Sequence, residues 1–467
     1  MGILSRVWNR QRYLVVLITM VVIVHGALTV HIYRSFPDFG KSFDRQYTNI
    51  SEHLYRDGVY STGERDSTGT LLPTISEPPL YTGAYALSYN IFGITRAADE
   101  AMRILQVVLN ILTILVCWRI GRLWSTTVGN AAATLAAHDF TAFYFANNFQ
   151  IPDTTLGFFV ALALFYLVKF LKDQPSPKNI SLTGFFLGLA MWTKIAAYLL
   201  WIPIAVLLMF FLWSAQHINR RERIRLCTVF IFIIVLFFGG WKLRNYSATG
   251  YFSFSSGATS LRWNASHLIA YQQGITRSQA DKELAKQYLT QDVSRMPEGA
   301  QEKYLSGKLA GLILHSPIDF SLVVLKAMPG MFLGTFPPYI LSSQRQAEDL
   351  MKRLRDAHGF RTLFRSLWDD GYYSYVLLYF AAKAHLIFLY SMSIVAMVVF
   401  ARNKSLRWIL AAFLLTIVYT MTVSGAAAQA RYRTIIFPVF YVLGGYGVIY
   451  CLETLHSRRQ RGHSVLV

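Results

Sequence analysis

Two sets of residues in this chain have chemistry to offer. The first is three carboxylates in apolar or proline-rich surroundings: Asp44 in FDRQY, Glu77 in SEPPLYTGAYAL and Asp153 in QIPDTTLGFF. A carboxylate at a membrane edge is costly and is a functional candidate by default. Partial desolvation also lifts its pKa toward the range of a general base near neutral pH. Plainer roles stay open: a solvated loop carboxylate for Asp44, and a helix N-cap behind Pro152 for Asp153. The second set is cationic: Lys194, Lys242, Arg244, Arg431 and Arg433. Each alone reads as an interfacial anchor whose charged head snorkels to water. Gathered on one side of a membrane, they suit a phosphate, which ammonium point charges and guanidinium forks both hold.

The elements that must position these residues are membrane helices. The 467 residues are 54% hydrophobic and 15% charged, with mean hydropathy +0.35. A soluble domain carries about 25% charged residues, so a water-soluble globular protein is excluded. The net charge of +20 would suit nucleic acid only if a basic patch lay on a soluble face. Most of the excess lies instead in short loops between apolar runs, so no nucleic-acid partner is expected. About ten spans are read at 13–33, 100–120, 128–147, 152–171, 180–196, 198–214, 226–241, 376–400, 406–423 and 433–452. Alternate connections carry the Lys and Arg clusters, such as Arg220, Arg221, Arg223 and Arg225, which places both termini in the cytoplasm. The apolar segment 318–336 is left interfacial or re-entrant, since counting it as a span would put the basic loop at Arg402 outside.

The first span has no small-x-small cleavage pattern after His31 and is expected to remain as a helix. Residues 34–99 and 242–375 are too long to be turns, and loops of that length usually carry function. Both fall outside, so the chemistry is expected on the outer face. This divides the chain into an N-terminal membrane module (1–241), an outer loop domain (242–375) and C-terminal helices (376–467). Cys117, Cys227 and Cys451 all fall at cytoplasmic helix ends, which rules out a disulfide in the outer loops. His267 and His315 read as surface or packing residues rather than ligands.

Five segments resemble a known family. FDRQYTNISEHLYRDGVYS is similar to an Asp-plus-Tyr loop after the first span, and SEPPLYTGAYALSYNIFG to a Pro-Pro-Leu-Tyr stretch ending in Phe-Gly. LGLAMWTKIAAYLLWIP resembles a Gly-rich helix ending in Thr-Lys, and GGWKLRNYSATGYF a Trp-x-x-Arg-Asn-Tyr…Gly stretch. ARYRTIIFPVFYVLGGYG resembles an Arg-Tyr…Pro motif opening a late span. Together they resemble the GT-C glycosyltransferases, specifically the lipid-linked-sugar transferases related to protein O-mannosyltransferases and the lipid A aminoarabinose transferase. The resemblance implies an all-α GT-C membrane fold and transfer of a sugar from a polyprenyl-phosphate carrier to an acceptor hydroxyl on a lipid, glycan or protein. Inversion at the anomeric carbon is implied too, in a bacterial cytoplasmic membrane with the active site facing the periplasm. It makes Asp44 the general base and fits Lys194, Arg244, Arg431 and Arg433 to the departing phosphate, with Lys242 either joining them or anchoring its helix. Asp153, Glu77 and Tyr47 are left to the acceptor or to a divalent metal, for which two carboxylates alone are an incomplete shell.

The chain departs from the pattern in two places. Two residues separate Asp44 from Tyr47 where many relatives have three, which keeps Asp38 in reserve, and Glu77 stands where the aminoarabinose transferases have a Lys before the Pro pair. Two rivals remain, a flippase for a lipid-linked glycan and a lipid-linked oligosaccharide polymerase or ligase. A transporter tends to show internal repeats and charges near the midplane, which this sequence lacks.

Overall fold

The computed structural model describes residues 12–27, 45–147, 151–173, 175–216, 218–334 and 373–463. Among them no strand forms beyond an isolated antiparallel bridge between Arg65 and Leu71. The helices are α1 (Arg12–Ala27), α2 (Arg45–Asp57), α3 (Pro79–Phe92), α4 (Arg96–Arg122), α5 (Thr126–Ala137), α6 (Phe140–Asn147) and α7 (Asp153–Lys172). They continue with α8 (Pro177–Thr193), α9 (Trp201–Ser214), α10 (Arg220–Thr249), α11 (Ala258–Gln273), α12 (Arg277–Tyr288), α13 (Gln291–Ser294), α14 (Glu298–His315) and α15 (Pro317–Leu333). Past the second long loop come α16 (Tyr373–Arg402), α17 (Arg407–Ser424) and α18 (Phe437–His463).

Among the described residues seven helices are long and apolar enough to cross a membrane, or eight if the bent α14–α15 pair is counted as one. Over the described residues each of the expected spans coincides with helix, but two fall short of a continuous crossing. α8 has 17 residues, while of the 13–33 span residues 13–27 are described and lie in α1. The 128–147 span is broken in two at His138–Asp139. There the Asp139 carboxylate accepts the Thr141 and Ala142 N–H groups at 2.9 and 3.2 Å and caps α6. Its other oxygen takes the Tyr441 hydroxyl at 2.9 Å, so the break is fixed from α18. The segment 318–336, expected to be interfacial or re-entrant, begins as α15, bent by 93° from α14. The proposed domain boundary at 241/242 falls inside the continuous helix α10.

The helix ends follow from local sequence. Ser125 caps α5 and Asn219 caps α10 through their side-chain oxygens, and Thr276 with Gln279 closes a capping box on α12. Proline opens α3, α8 and α15 within the first turn, where its missing N–H costs nothing. The core lies where α4, α5, α7, α8, α9 and α16–α18 meet. Small residues let these helices close up, as membrane helices need in the absence of a strong hydrophobic drive between them. A Cβ on Gly121 would stand 2.7 Å from the Gly129 Cα, so this pair sets the approach of α4 to α5.

Candidate active site

A cavity of about 460 Å³ opens where the two long loops meet the ends of the membrane helices. Its walls bring together Tyr47 and Gln46 from α2, Glu77 before α3, Pro152 before α7, Lys194 after α8, Tyr419 from α17 and Arg431. Four residues singled out from the sequence, Tyr47, Glu77, Lys194 and Arg431, therefore line one space. Asp44 and Asp38 lie outside the described residues, whereas Gln46 and Tyr47, two and three positions past Asp44, are in the wall.

Lys194 reaches the cavity because α8 stops there. It holds an extended backbone (φ −156°, ψ 139°) between α8 and a 3-10 turn at Ile195–Ala197. Tyr419 fixes that turn: its hydroxyl donates to the Ala196 carbonyl at 2.9 Å and accepts the Leu199 N–H at 3.1 Å. The Lys194 ammonium lies 2.9 Å from both Asp153 oxygens. Asp153 is buried, with 1% of its side chain exposed, and Lys194 keeps 12%. The N-cap alternative for Asp153 does not hold, since Pro152 occupies the cap position and the carboxylate turns to Lys194 instead. At the start of α7 the carboxylate also sits favourably on the helix dipole. Gln106 steadies this corner by donating to the Ile151 carbonyl at 2.5 Å and to the Tyr81 hydroxyl at 3.0 Å.

Arg431 and Arg433 share the 3-10 helix Ala430–Ile435, where two positions amount to about two-thirds of a turn. They therefore point apart. Arg431 lines the cavity beside Tyr432. Arg433 is fully buried and donates to the Phe332 carbonyl and, at 2.7 Å, to the Gly334 carbonyl, tying the end of α15 to the bundle. Lys242 and Arg244 diverge likewise on α10, two positions being about 200° of α-helix. Lys242 sits between the Phe238 and Phe252 rings, at 4.6 and 4.9 Å from their centroids. Arg244 packs over Tyr60 and Trp241 and donates to the Thr74 carbonyl at 3.1 Å. Of the five cations, the structure brings Lys194 and Arg431 to the cavity and leaves Lys242, Arg244 and Arg433 out of its lining.

Arg244 belongs to a clamp on residues 74–78 that sequence reasoning missed. Glu298 accepts the Thr74 hydroxyl at 2.7 Å and the Ile75 N–H at 3.1 Å, and the Ser255 hydroxyl donates to the Ser76 carbonyl at 2.6 Å. The Tyr60 hydroxyl stands 2.9 Å from the Glu77 carbonyl and 2.9 Å from the Thr82 hydroxyl. Burial pushes the Glu298 carboxyl above the ordinary glutamate range and the Tyr60 phenol above the tyrosine range. The clamp joins the two long loops and orients Glu77. No pattern in one sequence pairs Thr74 with Glu298, 224 positions away.

A second, more polar cavity of about 480 Å³ shares Gln46, Ser76, Ser256 and Thr259 with the first and continues it past Glu64, Arg262, Tyr288 and Gln301. Among the described residues no three His, Cys, Asp or Glu side chains converge on a metal-sized point. Both Asp153 oxygens are taken by Lys194, so the described carboxylates do not fit a divalent ion. His267 packs on the Trp263 ring and the His315 ring bonds the Gly311 carbonyl.

Residues 76–241 match the family model described as dolichyl-phosphate-mannose-protein mannosyltransferase, over less than half of the chain. No curated protein matches the chain. Among solved structures, the archaeal oligosaccharyltransferase AglB from Archaeoglobus fulgidus, in complex with an inhibitory peptide and a dolichol-phosphate, is 12% identical with TM-score 0.52. That match covers 98% of this chain and 52% of that one. The Archaeoglobus fulgidus oligosaccharyltransferase in complex with Zn and sulfate is 13% identical with TM-score 0.52, covering 94% and 50%. ArnT from Cupriavidus metallidurans bound to undecaprenyl phosphate is 15% identical at TM-score 0.39, covering 94% and 78%. The chain thus spans about half the length of the oligosaccharyltransferases it matches, and at these identities the likeness is one of fold. With an all-α membrane fold of this type and a mannosyltransferase sequence pattern over residues 76–241, the chain resembles the GT-C glycosyltransferases.

Proposed function

We propose that this chain is a glycosyltransferase that moves a sugar from a polyprenyl-phosphate carrier to an acceptor hydroxyl at the outer face of a bacterial cytoplasmic membrane. The observation that carries the proposal is the shared cavity: Lys194 and Arg431, from segments far apart in sequence, face one space with Tyr47 and Glu77. A cation pair opposite a base is what inverting transfer from a phosphate carrier asks for.

In this reading the carrier phosphate sits against Arg431 and the Lys194 ammonium. Two of the three ammonium N–H groups serve Asp153 and the third is left for the phosphate. Asp153 offsets most of the Lys194 charge, so Arg431 supplies the larger part of the attraction. Asp44 takes the proton of the acceptor hydroxyl as its oxygen bonds the anomeric carbon. The anomeric C–O bond to phosphate breaks with its electron pair going to the phosphate, whose added charge the two cations stabilise. Attack opposite the departing phosphate inverts the anomeric centre. Glu77 and Tyr47 orient the sugar or the acceptor, and the adjoining polar cavity receives the acceptor.

The test uses purified protein in liposomes with radiolabelled polyprenyl-phosphate sugars and a membrane extract as acceptor, following label transfer and release of polyprenyl phosphate. Transfer that disappears in Asp44→Asn supports the proposal. Retained turnover moves the base to Asp38 or Asp153. If the intact labelled lipid merely crosses the bilayer, the flippase reading replaces this one.

A further inference from the structure

At the opposite end of the bundle from the cavity, on the face of the basic loops, α1 and α4 leave an open groove of about 390 Å³ between them. Leu14, Val15 and Ile18 of α1 form one wall, and Trp118, Arg119 and Arg122 from the last turns of α4 form the other. The Trp118 indole is the buried floor, locked in place by donating to the Asn130 side chain at 3.0 Å. α1 is pinned beside it, with Tyr13 hydrogen-bonded to Thr134 and Leu17 and Val21 in the core. Val15, by contrast, is 54% exposed along the open side. The groove is therefore a feature of packed helices.

Its rim is cationic. The Arg119 and Arg122 guanidinium carbons lie 5.8 and 4.6 Å from the Trp118 ring centroid, and both residues line the groove. Among the described residues neither has a carboxylate partner, unlike Arg103, Arg225 and Arg262, which pair with Glu100, Glu222 and Asp281. Gly129 lets the Arg122 stem lie flat against α5, since a Cβ there would stand 2.7 Å from its Cγ. Two guanidiniums held one turn apart over an aromatic floor, at the edge of an apolar wall, complement a phosphodiester that carries an acyl chain.

We propose that this groove binds an anionic glycerophospholipid of the leaflet on the basic-loop face. Its phosphate is held between Arg119 and Arg122, and its proximal acyl methylenes lie along Val15 and Ile18. The site is separate from the catalytic cavity and does not depend on the activity proposed for it. A zwitterionic lipid offers the same tail but brings an ammonium against the two guanidiniums, so the groove selects for net negative charge.

The probe is phosphatidylglycerol against phosphatidylcholine of the same chains. The full-length protein is equilibrated with an equal mixture of the two in micelles, and the retained lipid is read by native mass spectrometry. Wild type is expected to retain phosphatidylglycerol in preference, and Arg119→Gln/Arg122→Gln to lose that preference by about an order of magnitude. Arg402→Gln/Arg407→Gln, on the same face outside the groove, should leave it unchanged. Val15→Trp fills the groove with both guanidiniums intact and should lower retention likewise, which keeps the test open if the charge variant fails to fold. Equal retention of the two lipids by wild type, or an unaltered preference in both groove variants, overturns the proposal. Displacement of the lipid by millimolar inorganic phosphate would show a bare anion site and overturns it too.

Discussion

Replacing Lys194 by Met would strip the counter-ion from a carboxylate that is 1% exposed. At 2.9 Å and an effective dielectric of about 20, the gross attraction is about 6 kcal/mol. Most of that offsets the desolvation of the two ions, but removing one partner strands the other, and a broken buried pair typically costs about 3–5 kcal/mol. Asp153→Asn should cost less, because Lys194 keeps 12% exposure and an open cavity in which to be solvated. The double variant Asp153→Asn/Lys194→Met should then be more stable than Lys194→Met alone, with a coupling energy above about 1 kcal/mol. The measurement is reversible unfolding of the three variants in mixed micelles against sodium dodecyl sulfate, followed by circular dichroism. Single-variant costs that add to within about 0.5 kcal/mol would refute a buried ion pair at this corner. The same proteins separate structure from chemistry: the double variant should recover stability and still fail in transfer, because the remaining ammonium N–H is gone as well.

Further outcomes follow from the same geometry. Arg431→Ala should weaken donor use by about 2–4 kcal/mol in kcat/KM, and unchanged kinetics would reduce it to an anchor. Arg433→Ala should lower stability by about 1–3 kcal/mol per orphaned carbonyl at Phe332 and Gly334, read by the same detergent unfolding. Gly157→Ala puts a Cβ 2.7 Å from the Thr434 carbonyl oxygen and should cost about 1–3 kcal/mol by prising α7 from the turn that carries Arg431. For pH, burial raises the Glu298 carboxyl, so above the ordinary glutamate value the folded protein still holds a proton that the unfolded chain has released. Stability should therefore fall as pH rises from that value through the raised one, and Glu298→Gln should flatten the slope in unfolding measured across the window.

The sequence by itself determined the solvent. Apolar runs long enough to cross a bilayer, with basic residues concentrated in alternate loops, fix a helical membrane protein, because each backbone polar group must be satisfied within its own segment. The same reading marked the two long loops, placed Tyr47 and Glu77 within the first of them, and put Lys194 and Arg431 at helix ends, which are one-dimensional properties. It did not foresee the break at Asp139. A cap inside an apolar run matters only when something like Tyr441, 302 positions away, satisfies the second carboxylate oxygen.

Tertiary structure decided which cations share a space. Arg431 and Arg433, or Lys242 and Arg244, are equal in type and almost equal in position, yet two residues of helix turn them to different faces. Only the packing around them settles which face is a cavity. The Asp153–Lys194 pair joins residues 41 positions apart, and the clamp from Glu298 to Thr74 spans 224. Such pairings depend on which helix lies beside which, and that is set by the close approaches at Gly121, Gly129 and Gly157 rather than by any local pattern. Helix content follows from short-range energetics, while the site follows from shape complementarity between elements far apart in the chain.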